Sequence, residues 1–137
     1  MKIYNCLNCG KECTHHRGKT NKYCGNTCQQ DYQHKQRVEQ WLNGELEPTT
    51  TNSSKFVKRY ILTKQEFKCN MCGISEWNGK SITLDLDHID GNHANNNEEN
   101  LRCICPNCHS QSDNYKAKNK GSGRHYRTIR YAEGKSY

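Results

Sequence analysis

Eight of the ten cysteines in this 137-residue chain fall into four close pairs, Cys6/Cys9, Cys24/Cys28, Cys69/Cys72 and Cys105/Cys108, and no other feature limits its fold so strongly. The pairs matter because apolar material is scarce. Leu, Ile, Val and Phe together number 18 residues, about 13%, below the roughly 20% under which chains tend to stay unfolded. A self-sufficient hydrophobic core is excluded, and covalent or metal cross-links have to supply the missing constraint. Disulfides and metal thiolates are the two available uses of such cysteines. Met1 to Asn5 reaches the first cysteine without an apolar run, so no secretory leader is expected and the reading is a reducing cytoplasm, not secretion. Cys-x-x-Cys places two thiolates on one knuckle, and two knuckles complete the tetrahedron of a closed structural zinc site. No stretch approaches the eighteen or so apolar residues that would cross a membrane as a helix.

The first set predicts an N-terminal zinc-binding module and helix over residues 1–42, with Cys6, Cys9, Cys24 and Cys28 as ligands. Cys13, His15 and His16 stand close enough in sequence to replace one of them. A helix is expected to follow the module and run to about Leu42, with Tyr32, Val38, Trp41 and Leu42 on one side and Asn43-Gly44 as its stop. Residues 43–54 have the polar, turn-prone composition of a linker. Ser53 or Ser54 can cap a second helix to about Phe67, in which Phe56 with Tyr60 and Val57 with Ile61 recur at i, i+4.

Beyond it, Ile82, Leu84 and Leu86 alternate with Thr83, Asp85 and Asp87, which predicts a half-buried strand from Ser81 to His88. A polar loop comes next, then a short strand from Leu101 to Ile104, then a helix after Pro106 carrying Cys108, His109 and Asp113. Cys69, Cys72, Cys105 and Cys108 form the second zinc set, and Cys103 is expected in the core.

Charge is unevenly spread. The formal +7 drops by four once eight thiolates and two Zn²⁺ are counted. Between Thr83 and Asn100 lie Asp85, Asp87, Asp90, Glu98 and Glu99 with no Lys or Arg, whereas seven Lys and Arg from Lys116 onward face Glu133 alone. An acidic patch able to collect a divalent cation is thus followed by a basic segment able to hold a polyanion. In the tail, residues 119–137, arginines alternate with tyrosines, so Arg124, Arg127 and Arg130, with Lys116 and Lys118 just before the tail, are the expected DNA-contacting residues.

Cutting a phosphodiester takes a base for water, a cation for the phosphate and leaving oxygen, and a group to orient the base. Asp87-His88, Asn100-Leu101 and Cys105-Pro106-Asn107-Cys108-His109 offer all three, and in this order they resemble the HNH nucleases of the zinc-stapled, bacteriophage type. The resemblance spans residues 55–118. It implies a small, metal-stabilised α+β protein: a ββα-metal nuclease domain with a structural zinc on Cys69, Cys72, Cys105 and Cys108, beside a zinc-ribbon-like N-terminal module.

By the same resemblance His88 is the general base. Asp87 and His109 hold one Mg²⁺ or Mn²⁺, with Asp113 a turn further on as an additional ligand, and Asn100 ties the loop so that His88 stays aimed. His93, Asn96 and Asn97 either contact DNA or support that loop. The implied activity is a metal-dependent endodeoxyribonuclease acting on double-stranded DNA, leaving 5′-phosphate and 3′-hydroxyl ends, in a phage homing or packaging role inside a bacterial host. The alternative is a non-catalytic two-zinc nucleic-acid-binding protein, which would have no need of Asp87, His88 and His109 together.

Overall fold

The computed structural model describes residues 2–15, 21–48, 54–113, 115 and 132–134. His16, Ser53, Lys116, Lys118, Arg124, Arg127 and Arg130 lie outside the described residues. The chain divides into two compact units, Met1–Glu47 and Pro48–Tyr137. The structure is a small α+β protein carrying two four-cysteine clusters.

In the first unit, β1 (Ile3–Asn5) and β2 (Glu12–Thr14) pair antiparallel, with Tyr4 opposite Cys13. The turn between them is a knuckle made by Cys6 and Cys9. Gly10 follows at φ 74°, and its N–H bonds the Cys6 carbonyl at 2.8 Å, a left-handed closure that a glycine makes without steric cost. α1 (Asn26–Leu42) begins earlier than the sequence suggested, so that Cys28 sits in its first turn. Val38 and Trp41 are buried, while Leu42 at the helix end is 45% exposed and does not share their side. The Tyr4 hydroxyl donates to the Tyr23 carbonyl at 2.9 Å and Lys35 to the Asn8 side chain at 2.9 Å, tying hairpin and helix to the segment between them.

The second unit starts with α2 (Ser54–Lys64), which buries Phe56, Val57 and Ile61 at the predicted i, i+4 spacing. It stops three residues before Phe67. Glu66 and Phe67 both take positive φ, 55° and 57°, turning the chain away and leaving Phe67 60% exposed. The predicted strand over Ser81 to His88 is in fact two pieces. β3 (Glu76–Trp77) pairs with β4 (Lys80–Ser81), and after a break β5 (Asp85–His88) pairs antiparallel with β6 (Leu101–Ile104). Alternation alone could not show that Ser81 has a different partner strand from Asp85.

β6 is buried along almost its whole length and packs against α2. The free backbone edge that such a strand exposes is covered by a side chain. Gln65 Oε1 accepts from the Cys103 N–H at 2.9 Å and its Nε2 donates to the Cys103 carbonyl at 2.8 Å, imitating a neighbouring strand. Cys103 is 0% exposed, the core position expected of it, and burial pushes its thiol up to about 11. After β6 comes α3 (Pro106–Gln111). Cys105 is its N-cap, its sulfur accepting from the Cys108 N–H, and Pro106 occupies the first turn, where a missing N–H costs nothing.

Candidate active site and metal centres

Each unit gathers four sulfurs, Cys6, Cys9, Cys24 and Cys28 in one, Cys69, Cys72, Cys105 and Cys108 in the other, all within 4.8 Å of one another in each set. A zinc ion with four bonds of about 2.3 Å would hold its sulfurs about 3.8 Å apart. The Cys9–Cys24 and Cys72–Cys105 separations are both 3.8 Å, and Cys24–Cys28 is 3.4 Å. The donor chemistry and the spacing both fit zinc. The second knuckle repeats the first: Gly73 follows Cys72 at φ 76° and bonds the Cys69 carbonyl at 2.9 Å.

The protonation of the sulfurs agrees with a cation site. The backbone N–H of Cys9 bonds the Cys6 sulfur and brings that thiol down to about 6. Burial pushes the Cys69 thiol up, but N–H bonds from Cys72, Cys105 and Met71 outweigh it and the value falls to about 6. Cys24 is held up at about 12, chiefly by sharing its proton with Cys28, and Cys108 reaches about 12 through burial and then its contact with Cys105. Each set thus contains one thiol lowered by backbone N–H bonds and one raised by its neighbouring sulfurs together with burial.

Cys13 stays outside the first cluster, its sulfur against the Lys11 carbonyl at 3.5 Å. His15 stacks on Tyr4 and accepts the Asn21 N–H at Nδ1.

β5, β6 and α3 bring the remaining candidates together. Asp85 and Asp87, two apart on β5, face the same side, and His109 from α3 meets them there. His109 Nδ1 lies 3.4 Å from Asp85 Oδ2, and its Nε2 lies 4.0 Å from Asp87 Oδ1. The second gap is too long for a hydrogen bond. It falls between the roughly 3.0 Å and 4.2 Å that two cis or two trans ligands at about 2.1 Å would span, and a carboxylate oxygen beside an imidazole nitrogen is a donor pair that could hold a divalent ion such as Mg²⁺ or Mn²⁺. Asp87 is buried, and its other oxygen accepts from Arg102 Nε at 2.8 Å, from the residue directly opposite on β6. Tyr115 packs edge-on against the His109 ring at 5.2 Å.

His88 closes β5, and its Nε2 lies 2.9 Å from Asn96 Oδ1. The loop that follows is held by polar bonds in place of apolar packing. Asn100 Oδ1 accepts the Asp90 N–H at 3.0 Å, and its Nδ2 donates to Asp90 Oδ1 at 2.9 Å and to the Asn95 carbonyl at 2.8 Å. The bond from the Asn95 side chain, then those from the Asn92 N–H and the Asn100 amide, hold the Asp90 carboxyl below its ordinary range. A 3₁₀ turn, Glu98–Asn100, is anchored on α2 through Glu98, which accepts from Tyr60 and Lys64.

This chain matches the H-N-H endonuclease F-TflIV of Escherichia phage T5, with 39% identity over 95 residues that make up 68% of the chain and 40% of that relative. The chain is a homologue of a phage HNH endonuclease. It spans 40% of the relative's length, and no family model and no solved structure matches it.

In this HNH-endonuclease homologue the structure brings Asp87 and His109 together and places Asp113 beyond the end of α3. α3 ends at Gln111 because the Ser112 backbone N–H and hydroxyl both bond the His109 carbonyl, so Asp113 lies past the helix, exposed and off its i, i+4 position. His93 and Asn97 are exposed on the loop. Sequence reasoning passed over Arg102, which holds Asp87, and Gln65, which props the strand behind them, and placed Asp85, which backs His109, only in the acidic patch. Asp85 alone carried a signal, since it stands two residues before Asp87 on a strand and must share its face.

Proposed function

We propose that the second unit is a metal-dependent endonuclease that hydrolyses phosphodiester bonds of double-stranded DNA. The observation that carries this reading is the convergence of Asp87 Oδ1 and His109 Nε2 across 4.0 Å, one residue from a partly exposed His88. His88 takes a proton from a water molecule as the water oxygen forms its bond to phosphorus. The bond to the 3′-oxygen breaks, leaving 5′-phosphate and 3′-hydroxyl ends. Asp87 and His109 would hold a Mg²⁺ or Mn²⁺ ion, which would supply positive charge where the leaving oxygen becomes negative. Asp85 and Tyr115 fix the plane of the His109 ring, and Arg102 fixes Asp87. Asn100 holds the loop beside His88 closed. The cysteine clusters would hold zinc as a structural ion, since four thiolates leave no open coordination position for substrate. The basic residues from Lys116 onward supply the attraction for the DNA backbone.

The test is cleavage of supercoiled plasmid by zinc-loaded protein with Mg²⁺ or Mn²⁺. Nicking is expected, and His88→Ala should lower its rate by about 10²–10⁴ while zinc content and DNA binding stay unchanged. Equal cutting by that variant, or a wild-type protein that binds DNA and cuts with neither ion, overturns the proposal.

A further inference from the structure

We infer that Asn96 is a positioning residue for His88: its side-chain amide, braced on the Pro48 carbonyl, keeps the proton of the neutral imidazole on Nε2 and leaves Nδ1 as the basic nitrogen. The inference follows from which groups can donate. The Pro48 carbonyl oxygen only accepts, so the atom of Asn96 that faces it at 3.2 Å must be the amide nitrogen. The other end of the same amide is then oxygen, which also only accepts, and it lies 2.9 Å from His88 Nε2. Nε2 must therefore carry the hydrogen. A neutral imidazole has one such hydrogen, so Nδ1 holds the free lone pair, and among the described residues no hydrogen bond to Nδ1 is made.

The brace is well built for this task. Pro48, whose carbonyl accepts from the Asn96 amide, is buried. Asn100 cannot serve in its place, because both ends of its amide are engaged by Asp90 and Asn95. The two asparagines have separate duties: Asn100 sets the course of the loop, and Asn96, four residues earlier, sets the ring. This assignment rests on the proposed role of His88 only for its effect on cleavage, since the position of the proton is a property of the protein without substrate.

The experiment is ¹⁵N-resolved NMR of the histidine rings in the zinc-loaded full chain, at a pH where imidazole is neutral, beside steady-state cleavage. Wild-type protein should show the His88 proton on Nε2, protected from exchange with water. Asn96→Ala should lose that protected resonance and lower kcat by roughly ten- to a hundredfold with little change in KM. Asn96→Asp keeps an acceptor for Nε2–H and should keep the resonance. A wild-type His88 proton on Nδ1 overturns the inference, and so does an Asn96→Ala variant with both the protected proton and kcat unchanged. Failure of the nuclease reading looks different: wild-type protein would not cut, yet the protected Nε2 proton would still be present and still depend on Asn96.

Discussion

Replacing Arg102 by Met tests the electrostatic frame of the site apart from any chemistry. Asp87 is only 7% exposed, and its Oδ2 accepts a 2.8 Å bond from Arg102 Nε. Removing one partner of a fully buried pair costs about 3–5 kcal/mol, because the remaining charge is left uncompensated. The Arg102 side chain is 20% exposed, so water already screens part of this pair, and about 2 kcal/mol is the expected loss. For a unit of this size that corresponds to a fall in midpoint on the order of 10 °C. The assay is thermal and urea unfolding of the zinc-saturated protein, run as a double-mutant cycle with Asp87→Asn. Once Asp87 has lost its charge, Arg102→Met should cost about 1.5 kcal/mol less than in the wild-type background. Costs that add to within about 0.5 kcal/mol would refute the claim that the two side chains hold each other. Mn²⁺ should restabilise Arg102→Met more than wild type, since a cation at Asp87 replaces the missing charge.

Cys105→Ser should reduce bound zinc from two ions to one and unfold the second unit, because Cys105 is both a cluster sulfur and the cap of α3; metal analysis with amide NMR reads both, and a folded second unit without zinc would contradict it. Cys103 should resist alkylation at pH 8 until the protein unfolds, since burial holds its thiol near 11; mass spectrometry of trapped peptides gives the answer. The Asp90 carboxyl is lowered in the folded state, so its contribution is complete above the unfolded value near pH 4 and is lost only as pH falls through the folded one. Asp90→Asn should therefore speed hydrogen exchange of the Asn92 amide by the same factor throughout pH 5–8, and a factor that grows or shrinks across that window would refute the assignment.

The features legible in the sequence were those whose signal is local. Two Cys-x-x-Cys knuckles, each followed by a glycine, announce the clusters, because a knuckle needs a tight left-handed turn within five residues. The helix through Phe56, Val57 and Ile61 was visible for the same reason, since its buried face repeats every turn. What stayed hidden depends on partners distant in the chain. Nothing near Ser81 says that it pairs with Glu76 and not with β6, and nothing near Gln65 says that it will stand in for a strand beside Cys103. Nothing near Arg102 tells that the register places it opposite Asp87. The end of α3 was misjudged because Ser112 competes for the His109 carbonyl, a choice that periodicity does not encode.

The shortage of apolar residues explains why the candidate site sits where it does. In a protein with a large core, a ligand histidine can be placed by packing from several sides. Here α3 has six residues and no buried side chain of its own, so packing cannot hold it. Its position is set by Cys105 at its cap and Cys108 in its first turns, and His109 is the next residue. A zinc ion on the four cysteines would therefore fix the place of His109 through one peptide bond, and the contrast of soft thiolates with a hard carboxylate would keep it from exchanging with a divalent ion at Asp87. On the opposite flank, His88 is placed by Asn96, Asn100 and Asp90, all polar and all in one loop. With so little core to share strain, loss of any one of these bonds acts on the site directly.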